Sequence, residues 1–346
     1  MRRLVMQHSF NLSFSLASSV GLALTSTHFA ISPVFAEPVN VAQGQAAELG
    51  VMEVSLKDSV QFNWGFQGGT QGAGTPNEIG IGGFVPLSVG TNSVFFLDAL
   101  ANVNLADIGN SSSIINTKVA GTTISTSTRL GYRWLNSDRS WMFGVNAGYD
   151  SRPMATGQSD TGVTVGNSQT VFFQQVAAGL EAVSNTWNFN AYALVPVGTT
   201  NARLNSVYQG GTLDTYGLDI GYAITPDFKA TIGYYYQNGD LNTADGSGVR
   251  GRLAYNISNR LTAGVNLSYD QAFDTRFSAD VKYRFGNNSY GERKEQQPEL
   301  KPVIQAITAT PTMREVRVHD SLSISTRVVT FAPNEYSKTF SAEFIV

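Results

Sequence analysis

Residues 141–150 read WMFGVNAGYD, and this stretch decides the fold. Its odd-numbered positions hold Trp, Phe, Val, Ala and Tyr, whereas its even-numbered positions hold Met, Gly, Asn, Gly and Asp. Because successive side chains of a β-strand point to opposite faces, a period of two indicates a strand with one apolar and one polar face. A helix would repeat its apolar residues every three or four positions.

The same alternation recurs between residues 59 and 286. We place about twelve strands there, near 59–67, 77–87, 93–104, 123–135, 140–150, 170–183, 186–197, 213–223, 227–238, 248–256, 260–270 and 274–285. Most are close to the roughly 9–11 residues that a tilted strand needs to cross the hydrocarbon core of a membrane. Gly82 and Gly83 interrupt the second strand and predict a β-bulge there.

The lengths of the connections support a barrel. Short connections lie at 136–139, 184–185, 224–227 and 256–259, and long ones rich in Ser, Thr, Gly and Asn lie at 105–122, 151–169 and 198–212. Outer-membrane barrels combine tight periplasmic turns with long outer loops. The predicted fold is therefore all-β: a transmembrane antiparallel up-and-down β-barrel of about twelve strands, with a short C-terminal extension. The alternative is a soluble β-sandwich, whose interior would not need so many charges opposite its apolar face.

The N-terminal sequence indicates export. Arg2 and Arg3 precede a weakly apolar stretch that ends in a small-residue site, so we expect a signal peptide over 1–36, cleaved between Ala36 and Glu37. A periplasmic lead-in follows at 37–58, then the barrel at 59–286, and a linker and tail at 287–346. Losing two arginines and no acidic residue takes the net charge from −3 to −5, which gives no support to nucleic-acid binding.

The aromatic residues cluster at the predicted strand ends. Amphipathic rings prefer both membrane interfaces, where the body of the ring is in lipid and its polar tip in water. We expect two girdles, one beside the short turns and one at the opposite strand ends. The first contains Trp134, Trp141, Trp187, Tyr222, Phe228, Tyr255, Tyr283 and Phe285, and the second contains Tyr149, Tyr236 and Tyr269.

The polar faces of the strands carry charges that a barrel would turn into its lumen. These are Asp98, Arg129, Arg133, Asp150, Glu181, Asp219, Lys229, Arg250, Arg252, Arg276, Asp280, Lys282 and Arg284. Such charges set ion preference or grip a threaded segment. The alternative, of equal weight, is that they pair with one another and brace the lumen.

Catalytic chemistry is poorly represented. After export His319 is the only histidine, and it lies in the tail, so the barrel lacks the usual proton carrier of hydrolases. The chain has no cysteine, which excludes a disulfide scaffold and a thiolate metal site. Asp107 and Asp160 lie in outer loops without the spacing of a calcium loop. We expect no enzyme, no metal and no cofactor.

Four stretches resemble the barrel of the inverse autotransporters, the intimin/invasin family: 130–135, 143–150, 83–87, and 179–182 with 188–192. The likeness covers most of 59–286. It implies a twelve-stranded translocator whose chain returns through the pore after the last strand and displays a C-terminal adhesin. The chain departs from that pattern at both ends. Its lead-in is too short for a peptidoglycan-binding module, and its tail of about sixty residues lacks repeated Ig-like domains.

Two functions follow as expectations. The first is an outer-membrane anchor and translocator in a Gram-negative-type bacterium, with a short or lost passenger and with 313–318 as the candidate start of a threaded linker. The second is a pore for small solutes with a periplasmic tail. We expect a monomer that contacts outer-membrane lipid, the barrel assembly machinery during insertion and an unidentified external receptor, but no nucleic acid.

Overall fold

The computed structural model describes residues 55–105, 122–155, 167, 169–206, 208–239, 241, 244–258, 260–286 and 302–322. The expected signal peptide with Ala36 and Glu37, the lead-in up to residue 54, the two loops that contain Asp107 and Asp160, and the chain beyond Leu322 lie outside these ranges.

Fourteen strands occur in the described residues. Their bounds are β1 Asn63–Gly69, β2 Asn77–Val89, β3 Ser93–Leu105, β4 Thr123–Leu135, β5 Trp141–Met154, β6 Val171–Ser184, β7 Trp187–Val197, β8 Asn201–Arg203, β9 Tyr208–Ala223, β10 Phe228–Gly239, β11 Gly246–Asn256, β12 Leu261–Asp270, β13 Asp274–Gly286 and β14 Val318–Leu322. Two short helices are also present, α1 at Leu56–Ser59 and α2 at Pro302–Ala306. In this part of the chain no helix has the length and apolar character needed to cross a membrane.

Twelve of the strands, β1–β7 and β9–β13, form a closed antiparallel barrel, which confirms the predicted fold class. The first strand closes it: Trp64 pairs with Gly83 on β2 and with Phe285 on β13. Consecutive strands are neighbours, as in an up-and-down barrel. The end with the connections 90–92, 136–140, 185–186, 224–227 and 257–260 is called the turn end below, and the opposite end the loop end.

The first two strands differ from the prediction. The first strand begins at Asn63 rather than at residue 59, because Leu56 and Val60 turn inwards through α1 and are buried. The irregularity of β2 lies between Pro86 and Ser88, not at the glycine pair, which is paired regularly with β3. Proline has no N–H to donate to the ladder, so the register shifts there.

The predicted loop at 198–212 was also wrong in part. It contains β8, and β9 starts at Tyr208 instead of at residue 213. Residues 208–212 extend beyond the barrel wall and pair with β8 on one edge and with β14 on the other. The tail strand β14 is the element that the alternation of the barrel strands could not reveal.

The outer face of the barrel is apolar. Large hydrophobic side chains point outwards from strand after strand and remain exposed, including Leu130, Leu180, Leu218, Ile232, Val249, Leu267 and Phe277. A continuous band of this kind is far larger than the apolar patches of soluble monomers. It has the character of the lipid-facing band of outer-membrane barrels.

We expect the purified protein to require detergent and to show β-type circular dichroism. The closed sheet should resist SDS at room temperature, so unboiled and boiled samples should migrate differently on a gel. Identical migration together with full solubility in buffer without detergent would contradict a membrane barrel.

Candidate functional site

The lumen of the barrel is occupied by the chain's own C-terminal region. Residues 302–322, called the luminal segment below, run from the turn end to the loop end. At the turn end Val303 and Ile307 pack with Leu135 and Met142. At the loop end β14 pairs with β9, with Val318 opposite Thr212. The segment therefore passes through the whole length of the barrel.

An apolar cluster fills the turn end of the lumen. It joins α1, the barrel wall and α2, so residues that precede the barrel strands in the chain and residues that follow them both contribute to it. Its buried members are Leu56, Val60, Phe84, Val94, Phe96, Leu135, Met142, Val303, Ile304 and Ile307. Removing this much apolar surface from water is the dominant stabilising contribution at this end. We call this cluster the turn-end plug.

Two arginines on β4 hold both the wall and the luminal segment. Arg129 makes a bidentate pair with Asp150 at 2.6 and 2.8 Å and donates to the carbonyl oxygen of Met313 at 3.1 Å. Arg133 pairs with Glu181 at 2.7 and 3.0 Å and donates to the carbonyl oxygens of Ile307 and Ala309. The guanidinium fork has five donors, so one side chain can satisfy a carboxylate and a carbonyl together.

Two further wall residues continue this row towards the loop end. Arg152 donates to the carbonyl oxygen of Val316 at 3.0 Å, and Gln175 donates to that of Glu315 at 3.2 Å. Gln175 also donates to Asp150 at 2.8 Å. The wall formed by β4, β5 and β6 thus binds carbonyl groups along much of the luminal segment.

The luminal segment contributes two arginines of its own. Arg314 pairs with Asp98 and donates to the hydroxyl of Ser127 at 2.8 Å. Arg317 lies 3.3 Å from Asp270, and its guanidinium carbon lies 4.9 Å from the centre of the Tyr235 ring. These two contacts are charge-assisted and buried, so they are strong and geometrically selective.

Tyr235 reaches its position because a glycine faces it. The ring pairs across the sheet with Gly248, where an added Cβ would lie 2.2 Å from the ring. The Tyr235 hydroxyl then donates to Asp270 at 2.6 Å. An inward aromatic ring over a cross-strand glycine narrows this side of the lumen and fixes the carboxylate that receives Arg317.

The two walls of the lumen are unequally covered. The side chains of Arg129 and Arg133 are 1% and 2% exposed, whereas those of Arg250 and Arg252, on β11, are 24% and 30% exposed. The β11 arginines pair with Asp219 and Asp280 of their own wall. The luminal segment therefore lies mainly against β3–β6. It contacts the opposite wall through Met313, whose sulfur lies 2.6 Å from Arg250, and through Arg317, and it leaves that wall partly open.

Most of the lumen-facing charges expected from the sequence are in ion pairs within the described residues. Nine of them form ion pairs: Asp98, Arg129, Arg133, Asp150, Glu181, Asp219, Arg250, Arg252 and Asp280. Of the other four, Arg284 donates to Asn63 at 2.8 Å, Arg276 and Lys282 are half-buried, and Lys229 is exposed. Two of the ion pairs, Arg129–Asp150 and Arg133–Glu181, also bind carbonyl oxygens of the luminal segment through their arginines.

Sequence reasoning missed several residues that hold the luminal segment. Arg152 was assigned to a loop. In fact β5 continues to Met154, and Arg152, two residues after Asp150, points into the lumen as Asp150 does. Gln175, Asp270 and Tyr235 also occupy inward-facing positions of their strands. The alternation of the strands could have identified them as lumen-facing, but their partners in the luminal segment have no alternating pattern.

The predicted aromatic residues lie on the outer face, and six of the eleven make contacts with other aromatic rings. Around the turn end, ring contacts join Trp134 to Phe143, Trp141 to Phe143 and Phe189, and Trp187 to Tyr222. Phe285 and Tyr283 meet edge to face, and Trp64, which the sequence reasoning missed, stacks on Phe285 with centroids 4.5 Å apart. Of the remaining rings, Tyr149, Tyr236, Tyr255 and Tyr269 are exposed, and Phe228 is half-buried.

The described residues hold no group of three or more His, Cys, Asp or Glu side chains able to bind a metal ion. His319 is fully buried on β14, close to Gly211 and Gly239. The groups that line this interior, guanidinium, amide and carboxylate, suit it chemically to binding an extended polypeptide.

Comparisons with known proteins bear on the fold. No known family and no curated protein matches the sequence. Among solved structures, a chain from a study of the in-meso crystallization of membrane proteins is similar with a TM-score of 0.51 at 10% identity, over 75% of this chain and 100% of that chain. An outer membrane channel from Pseudomonas putida F1 has a TM-score of 0.42 at 11% identity, over 70% of this chain and 100% of that chain. At these identities the first likeness shows a shared fold and nothing more.

We expect Arg129→Met to destabilise the protein strongly. The substitution leaves the Asp150 carboxylate buried without its guanidinium partner, which costs about 3–5 kcal/mol in free energy of unfolding. Denaturant titration of the protein in detergent or liposomes measures the loss. The matched control is Arg260→Gln, in an exposed turn, which should change stability by no more than about 0.5 kcal/mol. Equal unfolding midpoints for Arg129→Met and the unsubstituted protein would mean that the pair is not buried.

Proposed function

We propose that this protein is an outer-membrane anchor and translocator of the inverse-autotransporter type, whose chain leaves the cell through its own barrel. The observation that carries the proposal is the path of the luminal segment. The last barrel strand, β13, ends at the turn end, where α2 enters the lumen, and β14 emerges at the loop end. In outer-membrane barrels the short turns face the periplasm. The path therefore leads outwards, to the cell surface.

The lining of the lumen supports the passage of a polypeptide through it. A polypeptide in transit exposes main-chain carbonyl groups whatever its sequence, and the β4–β6 wall presents Arg129, Arg133, Arg152 and Gln175 to such groups. The turn-end plug then closes the periplasmic entrance around α2. Both features suit a barrel that retains its own chain after export and presents the residues beyond Leu322 on the outside.

A pore for small solutes is the second candidate. It rests on the open wall, where Arg250 and Arg252 remain partly exposed inside the barrel. If the luminal segment left the lumen, this wall would line a channel with fixed charges, which set ion selectivity in pores.

An epitope tag after residue 346 tests the translocator proposal. On intact cells it should bind antibody and be removed by added protease. The control is the same tag inserted between Asp138 and Arg139, in a connection at the turn end, which should be reached only after the outer membrane is permeabilised. A C-terminal tag as protected as the control would contradict the proposal and favour the pore.

Planar-bilayer recording separates the two candidates further. We expect the full-length protein to conduct little, because the plug and the luminal segment fill the barrel. A variant lacking residues 302–346 that keeps its heat-dependent gel shift should conduct. A folded variant that stays closed would eliminate the pore, whereas steady conductance by the full-length protein would contradict a filled lumen.

A further inference from the structure

Two kinds of polar contact between the barrel and the luminal segment differ in what they require of the segment's sequence. In the first, side chains of the barrel donate to carbonyl oxygens of the segment, at Ile307, Ala309, Met313, Glu315 and Val316. In the second, arginine side chains of the segment donate to carboxylates of the barrel, Arg314 to Asp98 and Arg317 to Asp270. The first kind is available to any polypeptide, because every residue has a carbonyl group. The second requires arginine at a fixed position.

The site for Arg314 is closely built around one guanidinium. Besides its pair with Asp98, the side chain donates to the Ser127 hydroxyl at 2.8 Å, to the Ser127 carbonyl at 2.9 Å and to the Asp98 carbonyl at 3.2 Å. The arginine is 5% exposed and the carboxylate 1% exposed. A lysine could satisfy the charge but not this set of acceptors, because its ammonium is a single point of donation.

The site for Arg317 lies on another wall. Asp270 accepts from it on β12, the carbonyl of Ala73 accepts from it at 3.1 Å, and Tyr235 and Phe273 lie within cation–π distance. Two guanidinium groups three residues apart are therefore bound at two separate points of the barrel. Both points can be occupied together in only one position of the chain.

The backbone next to Arg314 is strained. Met313 has a φ of 56°, in the left-handed region that non-glycine residues rarely adopt. Such strain persists only where the surroundings hold it. Here Arg129 binds the Met313 carbonyl, and Asp98 binds the side chain of the next residue, Arg314.

We infer that the lumen is a binding site for the main chain of an extended polypeptide, and that Arg314 and Arg317 set the register in which the chain stops. The wall residues bind passing carbonyl groups without regard to sequence. The chain halts where Asp98 and Asp270 receive the two arginines. This inference rests on the proposed translocation, but its test reads register and not surface exposure.

The test uses disulfide cross-linking, which the absence of native cysteine makes clean. Thr212 and Val318 are opposite each other, and the Leu213 N–H donates to the Arg317 carbonyl at 3.1 Å, so the pair is a non-hydrogen-bonded one. Such pairs have Cα atoms about 4.5 Å apart, within the range that a disulfide spans. The variant T212C/V318C reports the stopped register, and T212C/D320C reports a chain displaced by two residues.

With native arginines we expect T212C/V318C to oxidise almost completely in folded protein and T212C/D320C to give less than a tenth of that yield. Adding Arg314→Gln and Arg317→Gln should lower the first yield at least threefold and raise the second. Arg203→Gln, which removes an exposed arginine in β8, is the control and should change neither.

Unchanged yields in the double glutamine variant, with its heat-dependent gel shift intact, would overturn the inference and assign the register to apolar packing. If the double variant does not fold, Arg314→Gln alone and Asp98→Asn alone are compared, and each must shift the register for the inference to stand. A C-terminal tag that stays exposed on intact cells in these cases leaves the proposed function standing.

Discussion

Hydrocarbon offers no hydrogen-bond partners, and the rest of this structure depends on that constraint. Every N–H and C=O of a strand in lipid must pair within the sheet, so the sheet has to close, and β1 meets β13 along its whole length. Closing twelve strands encloses a space that side chains alone do not fill. The chain fills it with its own C-terminal region, packed on the apolar plug at one end and paired with β9 at the other.

The buried ion pairs of the lumen contribute mainly to the specific position of the luminal segment and less to the stability of the barrel. Removing charges from water is costly, and a buried pair is often no more stabilising than an apolar replacement of similar size. The contribution of these pairs is to fix the positions of the arginine side chains. Arg129 and Arg133 are held rigid by Asp150 and Glu181 and can therefore aim their remaining N–H groups at carbonyl oxygens of the luminal segment. On the β11 wall, where Arg250 lies 2.6 Å from the Met313 sulfur of the segment, similar pairs remain partly exposed.

Much of the barrel was predictable, because lipid on one face and a polar lumen on the other require apolar and polar residues to alternate along each strand. That pattern located twelve strands, in most cases to within two residues, and gave Asp98 and Arg129 their inward direction. It could not locate the luminal segment, whose main contacts are made by carbonyl groups that have no sequence signature. It could not pair Arg314 with Asp98 either, since 216 positions separate them. The predicted strand ended at residue 150, yet β5 continues to Met154.

Hydrogen exchange measured by mass spectrometry on the full-length protein tests the central claim, that the chain fills its own lumen, most directly. The amides of Ile307, Ala309 and Val318 are hydrogen-bonded inside the barrel. They should exchange as slowly as amides of the barrel strands, and peptides covering 302–322 should stay protected for hours. Exchange of these peptides within seconds, at the rate of an unstructured chain, would contradict the account.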